Sequence, residues 1–394
     1  MSIQQKTHPG VYALAIAAFA IGIAEFVVVG ILPSLATAFQ ISLSRAGGLV
    51  GFYALALAVG TPVLVLCLAR IPRKALLLGL IAVFLAGNLV SALAGSYAVL
   101  LTGRMITAVA HGSFFAIGAT VAAHLAPKGQ AGKAIALMFA GLTLAMVIGV
   151  PLGSFIGNAA NWRLPFFAVA ALAALAWLAT LRLVPAIEVH ADGTLAEQLA
   201  ALRQPAILTM MTVTVLGFGT SFAAFTFVTP ILTAITGFST NSASVLLVVF
   251  GLATLIGNLA GGRWAVTLGW RSALRRMILC LLLAFIILTV AMSHKVAMVP
   301  MLFIWGALAF GMSPAFQAGM LETAERYAPR AVGFASALNI AGFNLGITLG
   351  QNAGSVLVSH ELLAFTPLAS AVLSALALLP LSRLRSNTPP THNT

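Results

Sequence analysis

One carboxyl group stands out in the first hydrophobic segment of the chain. Residues 11–33 can cross a bilayer, since a spanning helix needs roughly 20 mostly apolar residues, and Glu25 is the one residue among them that is charged in water at neutral pH. Placing a carboxylate in hydrocarbon costs roughly 2.5 kcal/mol or more, so such groups are usually functional. Glu25 is therefore the first candidate for chemistry, and that chemistry is proton binding.

A basic residue, Arg104, lies deep inside the fourth hydrophobic segment. Glu25 precedes Pro33 by eight residues, which puts it about 12 Å below one membrane surface. Arg104 follows Ala98 by six residues, about 9 Å below the same surface. Burial disfavours a charged carboxylate and a nearby guanidinium favours it, so this arrangement predicts a proton site or a static ion pair. His111 lies on the same helix face as Arg104. Its predicted role is either to relay a proton, to bind substrate or to pack against a neighbouring helix.

The fifth segment contains the sequence GVPLG, with Gly149, Pro151 and Gly153. Proline removes a backbone hydrogen bond and bends a helix, and glycine lets another backbone approach. The motif predicts either close packing or a bend between two halves that closes one end of a cavity. We favour the bend.

The second half of the chain offers aromatic and amide side chains as a candidate substrate cavity. Three phenylalanines fall at positions i, i+4 and i+7 of the seventh segment, a stripe that is typical of a core and would also suit an apolar substrate. The amides would bridge helices or bind a polar solute such as a sugar. The candidate cavity residues are Phe218, Phe222, Phe225, Trp305, Gln317, Asn339 and Asn344.

The elements that must position these residues are membrane helices. The chain is 61% hydrophobic and 7% charged, with a mean hydropathy of +1.08, and long apolar runs without alternation exclude a barrel. We predict an all-α membrane protein with twelve transmembrane helices, at residues 11–33, 47–67, 75–93, 98–124, 134–157, 165–183, 207–231, 242–262, 277–293, 298–320, 333–358 and 365–382.

Charge placement orients the predicted helices. The formal net charge is +13, yet sixteen of the 20 lysines and arginines fall on one side of the membrane and three on the other. Basic residues mark the cytoplasmic side, so both termini are predicted to be cytoplasmic, and the charge argues against nucleic-acid binding. The isolated Cys67 and Cys280 predict neither a disulfide nor a metal site.

The two halves of the chain repeat one another. Pro33 aligns with Pro230, and with the same offset Gly60 aligns with Gly257. The pattern predicts two six-helix pseudo-repeats with a site between them, and access that alternates as the halves rock. We assign residues 1–183 to the first half, 184–206 to a cytoplasmic linker, 207–385 to the second half and 386–394 to a disordered tail.

Enzymatic signatures are absent from the sequence. It contains no GxxxxGK[ST], HExxH, CxxC or GxSxG motif. We therefore expect no enzyme activity, no cofactor and no metal.

Several motifs together resemble the drug:proton antiporter branch of the major facilitator superfamily, in its subgroup of bacterial arabinose, sugar and drug efflux permeases. They are IGIAEFVVVGILPSLA at residues 21–36, GRMITAVAHGSFF at 103–115, GVPLG at 149–153 and FNLGITLG at 343–350. The resemblance covers essentially the whole chain. It implies that Glu25 is the protonatable acid, Arg104 its partner and GVPLG an antiporter signature.

The chain departs from this family in the cytoplasmic loop motif, GxLaDrxGrk. The acid is replaced by Ala69 in the first half and by Val266 in the second, which puts a charge-based gate in doubt. The retained motif residues are Gly60, Arg70, Arg73, Lys74, Gly257, Arg263 and Arg271.

We predict a proton-coupled exporter of small molecules, drug-like compounds or sugars, in a bacterial inner membrane. Its partners are a small-molecule substrate, protons and the lipid bilayer, and we expect a monomer. A proton-independent facilitator and a proton symporter for uptake are the alternatives. A membrane sensor without transport is a third, disfavoured by the short loops.

Overall fold

A computed structural model describes residues 8–68, 71–127, 130–187 and 195–384. Within them lie twelve helices that are long and apolar enough to cross a membrane, which confirms the predicted fold class. Arg70, linker residues 188–194 and the predicted tail lie outside the described residues. The spans, α1 to α12, are Pro9–Gly30, Leu43–Val65, Arg73–Ala92, Tyr97–His124, Lys133–Ala159, Leu164–Leu183, Pro205–Phe225, Thr240–Thr267, Trp270–Ala291, Lys295–Tyr327, Pro329–Ser359 and Leu363–Arg383.

The first predicted segment is not one continuous helix. α1 ends at Gly30, and a short helix, Leu32–Ala38, follows after a turn at Ile31. Pro33 explains the interruption, because it has no backbone N–H to donate to the carbonyl of Val29 four residues earlier. The carbonyl of Val29 is thereby left for a partner outside the helix.

Irregular turns also occur near prolines within α5 and beyond the end of α7. A five-residue π turn, Ala145–Gly149, precedes Pro151 in α5. The segment predicted at 207–231 is broken beyond Gly219 and ends in a second π turn, Ile231–Ile235, next to Pro230. The Thr220 hydroxyl donates to a backbone carbonyl at 2.9 Å, as hydroxyls do where a buried helix loses regular bonds.

Two helices extend seven residues beyond an end that hydropathy predicts. α9 begins at Trp270, seven residues before the predicted start, and α10 ends at Tyr327, seven after the predicted end. Each extension contains three charged residues among its seven, and these lower the mean hydropathy of a window without interrupting the helix. Gly269, with a φ of 76°, sets the sharp entry into α9.

Contacts group the chain into two compact units. The first comprises Met1–Ala191, Phe227–Ala234 and Phe238–Gly251. The second comprises Asp192–Thr226, Ile235–Gly237 and Leu252–Thr394. The division predicted at the linker stays a prediction.

Candidate functional site

The candidate site is built around α1, in the first unit. The Arg104 guanidinium donates through Nη1 to the backbone carbonyl of Ala24, and through Nη2 to that of Glu25 at 3.3 Å. Arg104 is 1% exposed. These bonds place the two predicted residues at the same depth, as the helical rise indicates.

The Arg104 and Glu25 side chains nevertheless do not form an ion pair. Both residues are described, and their charged groups are not within 4 Å of one another. The Glu25 carboxylate instead faces His111, with 3.9 Å between Oε2 and Nε2, and the two side chains are 12% and 8% exposed. The acid is thus adjacent to a second titratable group rather than neutralised by direct contact with a guanidinium.

Tyr53 of α2 connects the imidazole to the guanidinium. Its hydroxyl lies 2.9 Å from Nδ1 of His111, and its ring lies 4.0 Å from Cζ of Arg104. Tyr53 is 2% exposed. The four side chains Glu25, His111, Tyr53 and Arg104 therefore form a closed cluster, which we call the acid–imidazole cluster.

Glycines on α4 let its neighbours come close enough to build this cluster. A Cβ on Gly112, next to His111, would lie 1.7 Å from the Thr61 hydroxyl oxygen of α2. A Cβ on Gly103, next to Arg104, would lie 2.8 Å from the Gly87 carbonyl oxygen of α3. Small residues allow such approaches between membrane helices, so α2 and α3 both pack against α4 beside the functional residues.

The charge of Arg104 in the cluster is stabilised by carbonyl dipoles and by an aromatic ring. Two carbonyl oxygens and the Tyr53 ring stabilise the Arg104 cation. The imidazole has one nitrogen toward Tyr53 and the other toward Glu25, so its tautomer decides which neighbour receives a hydrogen. This arrangement can pass a change of protonation at Glu25 to Tyr53.

The GVPLG motif packs against the same helix that carries Glu25. A Cβ on Gly149 would lie 2.3 Å from Ile23, and one on Gly153 would lie 2.8 Å from Val27. Pro151 is buried between them. The described contacts therefore agree with close packing, and the sealing role remains a prediction.

The predicted amides meet in the second unit. The Thr214 hydroxyl donates to Asn339 Oδ1 at 2.7 Å, and Asn339 Nδ2 donates to Gln317 Oε1 at 2.8 Å. Gln317 donates in turn to Ser336 at 2.7 Å. This chain joins α7, α10 and α11. Asn344 is not part of it, because its Nδ2 donates to the Ile340 carbonyl of its own helix.

The predicted aromatic residues form a continuous buried series of rings. Centroid separations are 5.4 Å from Phe218 to Phe222, 5.6 Å from Phe222 to Phe225 and 6.1 Å from Phe225 to Trp305. Phe343, the first residue of the FNLGITLG motif, lies 4.8 Å from Phe218. The structure brings these aromatic residues together, and their role in binding substrate stays a prediction.

The loop-motif residues fall into two groups. The glycines lie at contacts between helices, and the basic residues lie near helix ends. A Cβ on Gly60 would lie 3.0 Å from Val109 of α4, and one on Gly257 would lie 2.0 Å from the Ala307 carbonyl oxygen of α10. The basic members lie at the end of α8 and the starts of α3 and α9, and are Arg73, Lys74, Arg263 and Arg271. Within the described residues, no three His, Cys, Asp or Glu side chains are grouped as a metal site would require.

Comparison with known proteins identifies the family. A model of the Major Facilitator Superfamily matches residues 14–336. The chain belongs to this superfamily. It is a multi-pass membrane transporter of small molecules and not an enzyme.

Two relatives and one solved structure define the similarity further. A "Chloramphenicol resistance protein" of Streptomyces lividans is 34% identical, over 93% of this chain and 94% of its own. A "Probable sugar efflux transporter" of Mannheimia succiniciproducens is 31% identical, over 94% and 92%. A crystal structure of a D-xylose–proton symporter matches with a TM-score of 0.76 and 18% identity, over 96% of this chain and 98% of the other, and shows the fold alone.

Proposed function

We propose that this superfamily member is a proton-coupled exporter of small molecules in a bacterial inner membrane, with Glu25 as the group that binds the proton. The observation that carries the proposal is the acid–imidazole cluster. A carboxylate that is only 12% exposed, faces an imidazole and is in direct contact with no guanidinium of the described residues can gain and lose a proton without breaking an ion pair.

Protonation of Glu25 changes the hydrogen bonding of its neighbours. With Glu25 charged, the favoured His111 tautomer carries its hydrogen on Nε2, which faces the carboxylate at 3.9 Å, beyond hydrogen-bond length, and Nδ1 accepts from the Tyr53 hydroxyl at 2.9 Å. With Glu25 protonated, the carboxyl hydrogen turns toward Nε2 and the other tautomer donates from Nδ1 to Tyr53. The aromatic ring over Arg104 therefore responds to the state of the acid.

The transport cycle follows from alternating access. A proton from outside binds Glu25, the substrate leaves, and the proton is released to the cytoplasm as the site opens inward. The cycle needs no cofactor, since the proton gradient supplies the energy. The relatives named for drug resistance and sugar efflux support two substrate classes, and we propose small neutral or amphipathic molecules.

The experiment measures proton movement in inverted membrane vesicles. A thermal-shift screen of the purified protein with sugars, nucleosides and antibiotics, chloramphenicol included, first selects a substrate that stabilises it. Addition of that substrate should then move protons in vesicles that carry the natural chain. Glu25→Gln should abolish this flux because the amide cannot titrate.

A matched control uses a carboxylate outside the cluster. Glu322 accepts a hydrogen bond from the Trp270 indole at 2.9 Å in the second unit, so Glu322→Gln should preserve coupling. Undiminished proton flux in Glu25→Gln would overturn the proposal. Substrate accumulation with the opposite sign would indicate uptake by symport, and transport insensitive to an uncoupler would indicate a facilitator.

A further inference from the structure

A groove lies between α9 and α12 at the end of the second unit that the basic residues predict to be cytoplasmic. Its volume is about 450 Å³. Arg271 and Arg275 line one part of it, and Leu279, Leu378 and Leu381 line another. The groove therefore has a cationic part and an apolar part, which is the pattern that an amphipathic anion requires.

The cationic part faces the groove because of helical spacing. Arg271, Arg275 and Leu279 are four residues apart, so they follow one face of α9. The first turn of this helix contains no acidic residue. Cations at a helix N-terminus oppose the macrodipole, so an anion bound at this end would relieve an unfavourable arrangement.

Arg271 is held in place by the end of α12. Its Nη2 donates to the Ser382 carbonyl at 2.9 Å, one of the last carbonyls of a helix, which have no intrahelical partner. This bond uses one of five guanidinium N–H groups. Arg275 is exposed and forms no ion pair with a carboxylate of the described chain, so both cations have donors for a phosphate.

We propose that this groove binds the phosphate group of an anionic phospholipid, with an acyl chain along the leucines. The arginines select an anion, because no carboxylate of the described part of the chain lines the groove. The leucines favour a lipid over free phosphate, since an inorganic ion has no acyl chain to pack against them. Basic sites between transmembrane helices at the cytoplasmic surface are suited to such headgroups.

Substitutions at Arg275 and Arg276 separate two roles for these arginines: binding a lipid, and only orienting the helix in the membrane. Both are exposed, both lie in the first two turns of α9, and both contribute equally to the positive-inside bias. Only Arg275 lines the groove. Arg275→Gln and Arg276→Gln therefore remove the same charge from neighbouring positions, and only the first alters the proposed site.

Native mass spectrometry of the delipidated full-length chain tests the proposal by titration with phosphatidylglycerol. The natural chain should bind this lipid more tightly than phosphatidylcholine of the same acyl chains. Arg275→Gln should weaken phosphatidylglycerol binding about fivefold, since one cation near the headgroup is lost. Arg276→Gln should leave the affinity close to that of the natural chain.

A second variant tests the apolar part without altering charge. Leu378→Trp fills the groove beside the arginines, and it should weaken phosphatidylglycerol binding while both cations remain. Equal binding by Arg275→Gln and Arg276→Gln, or equal affinity for the two lipids, would overturn the proposal. Full competition by millimolar inorganic phosphate would also overturn it, because the groove would then be a free-phosphate site.

Discussion

Tyr53 serves two neighbours with different parts of one side chain. Its hydroxyl pairs with His111 at 2.9 Å, and its ring lies 4.0 Å from the Arg104 guanidinium carbon. A cation–π contact contributes about 2 kcal/mol when it is desolvated, and Arg104 is buried. Tyr53 therefore stabilises a cation that would otherwise rely on two carbonyl oxygens.

Two substitutions separate these roles. Tyr53→Phe keeps the ring and removes the hydroxyl, so we expect a folded protein whose proton-coupled transport is slower at saturating substrate. Tyr53→Leu removes both, and we expect an additional loss of about 2 kcal/mol in the free energy of unfolding. Unfolding in mixed micelles measures the stability, and the vesicle assay measures the coupling.

The outcome that contradicts this assignment is equal stability of the two variants. That result would mean that the aromatic face does not stabilise Arg104. Coupling unchanged in Tyr53→Phe would contradict the hydrogen-bond role alone. Phe84→Leu is the control for the loss of a buried ring, because Phe84 is buried in α3 outside the cluster.

At the residue scale, ionisable groups were predictable and their contacts were not. Glu25, Arg104 and His111 are conspicuous because hydrocarbon excludes charge, and the helical rise correctly put Arg104 level with residue 25. Whether a guanidinium contacts a carboxylate or the backbone depends on rotamers and helix rotation. Tyr53 gave no signal, since one aromatic residue in an apolar segment usually indicates core.

At the element scale, the break in α1 creates a buried acceptor. Pro33 cannot donate to the Val29 carbonyl, and the Thr229 hydroxyl does so instead at 3.0 Å within the first unit. Nearby, Asn158 Nδ2 donates to the Gly30 carbonyl at 2.9 Å. The Thr229 hydroxyl thus replaces the bond that the proline removes, and Asn158 adds a bond to the last carbonyl of α1.

This explanation predicts a compensating pair of substitutions. Thr229→Val leaves the Val29 carbonyl unsatisfied, which should cost about 1–3 kcal/mol in unfolding free energy. Pro33→Ala restores a backbone N–H four residues after Val29. The cost of Thr229→Val should therefore be smaller in the Pro33→Ala background, and a double-mutant cycle of unfolding free energies measures the difference.

Additive effects in that cycle would contradict the explanation. Thr233 provides a control, because its hydroxyl donates to the Thr229 carbonyl of its own segment at 3.0 Å. Thr233→Val should show no coupling to Pro33→Ala, since neither residue supplies the other's partner.

Helix number was predictable from hydropathy, and helix breaks and ends were not. Twelve apolar runs specify twelve spans because hydrocarbon requires each backbone to satisfy itself. The break beyond Gly30 involves donors from elsewhere in the fold, and the break beyond Gly219 involves the hydroxyl of the adjacent Thr220. The start of α9 at Trp270 was missed because exposed arginines extend a helix into the interface at no cost to its hydrogen bonds.

At the scale of the whole molecule, the sequence repeat appears as the same packing in each unit. A Cβ on Gly141 of α5 would lie 2.1 Å from the Ala15 carbonyl oxygen of α1. A Cβ on Gly350 of α11 would lie 2.2 Å from the Gly219 carbonyl oxygen of α7. Gly149 aligns with Gly350 and Pro33 with Pro230, which pairs the fifth helix with the eleventh and the first with the seventh. Each unit therefore uses glycine to bring the same pair of helices together, though at different positions along them.

Gly141 and Gly350 both approach backbone closely, so similar costs are expected in the two units, although the alignment pairs Gly141 with Gly342 and Gly149 with Gly350. Gly141→Ala and Gly350→Ala each place a methyl group against backbone, which cannot move as a flexible side chain can, so each should lower unfolding free energy by about 1–3 kcal/mol. A Cβ added at Gly79 or Gly333 would meet nothing within 4 Å, so their alanine variants should not be destabilised. A loss in one unit without the other, measured by unfolding in mixed micelles, would show that the repeat no longer imposes the same packing on both.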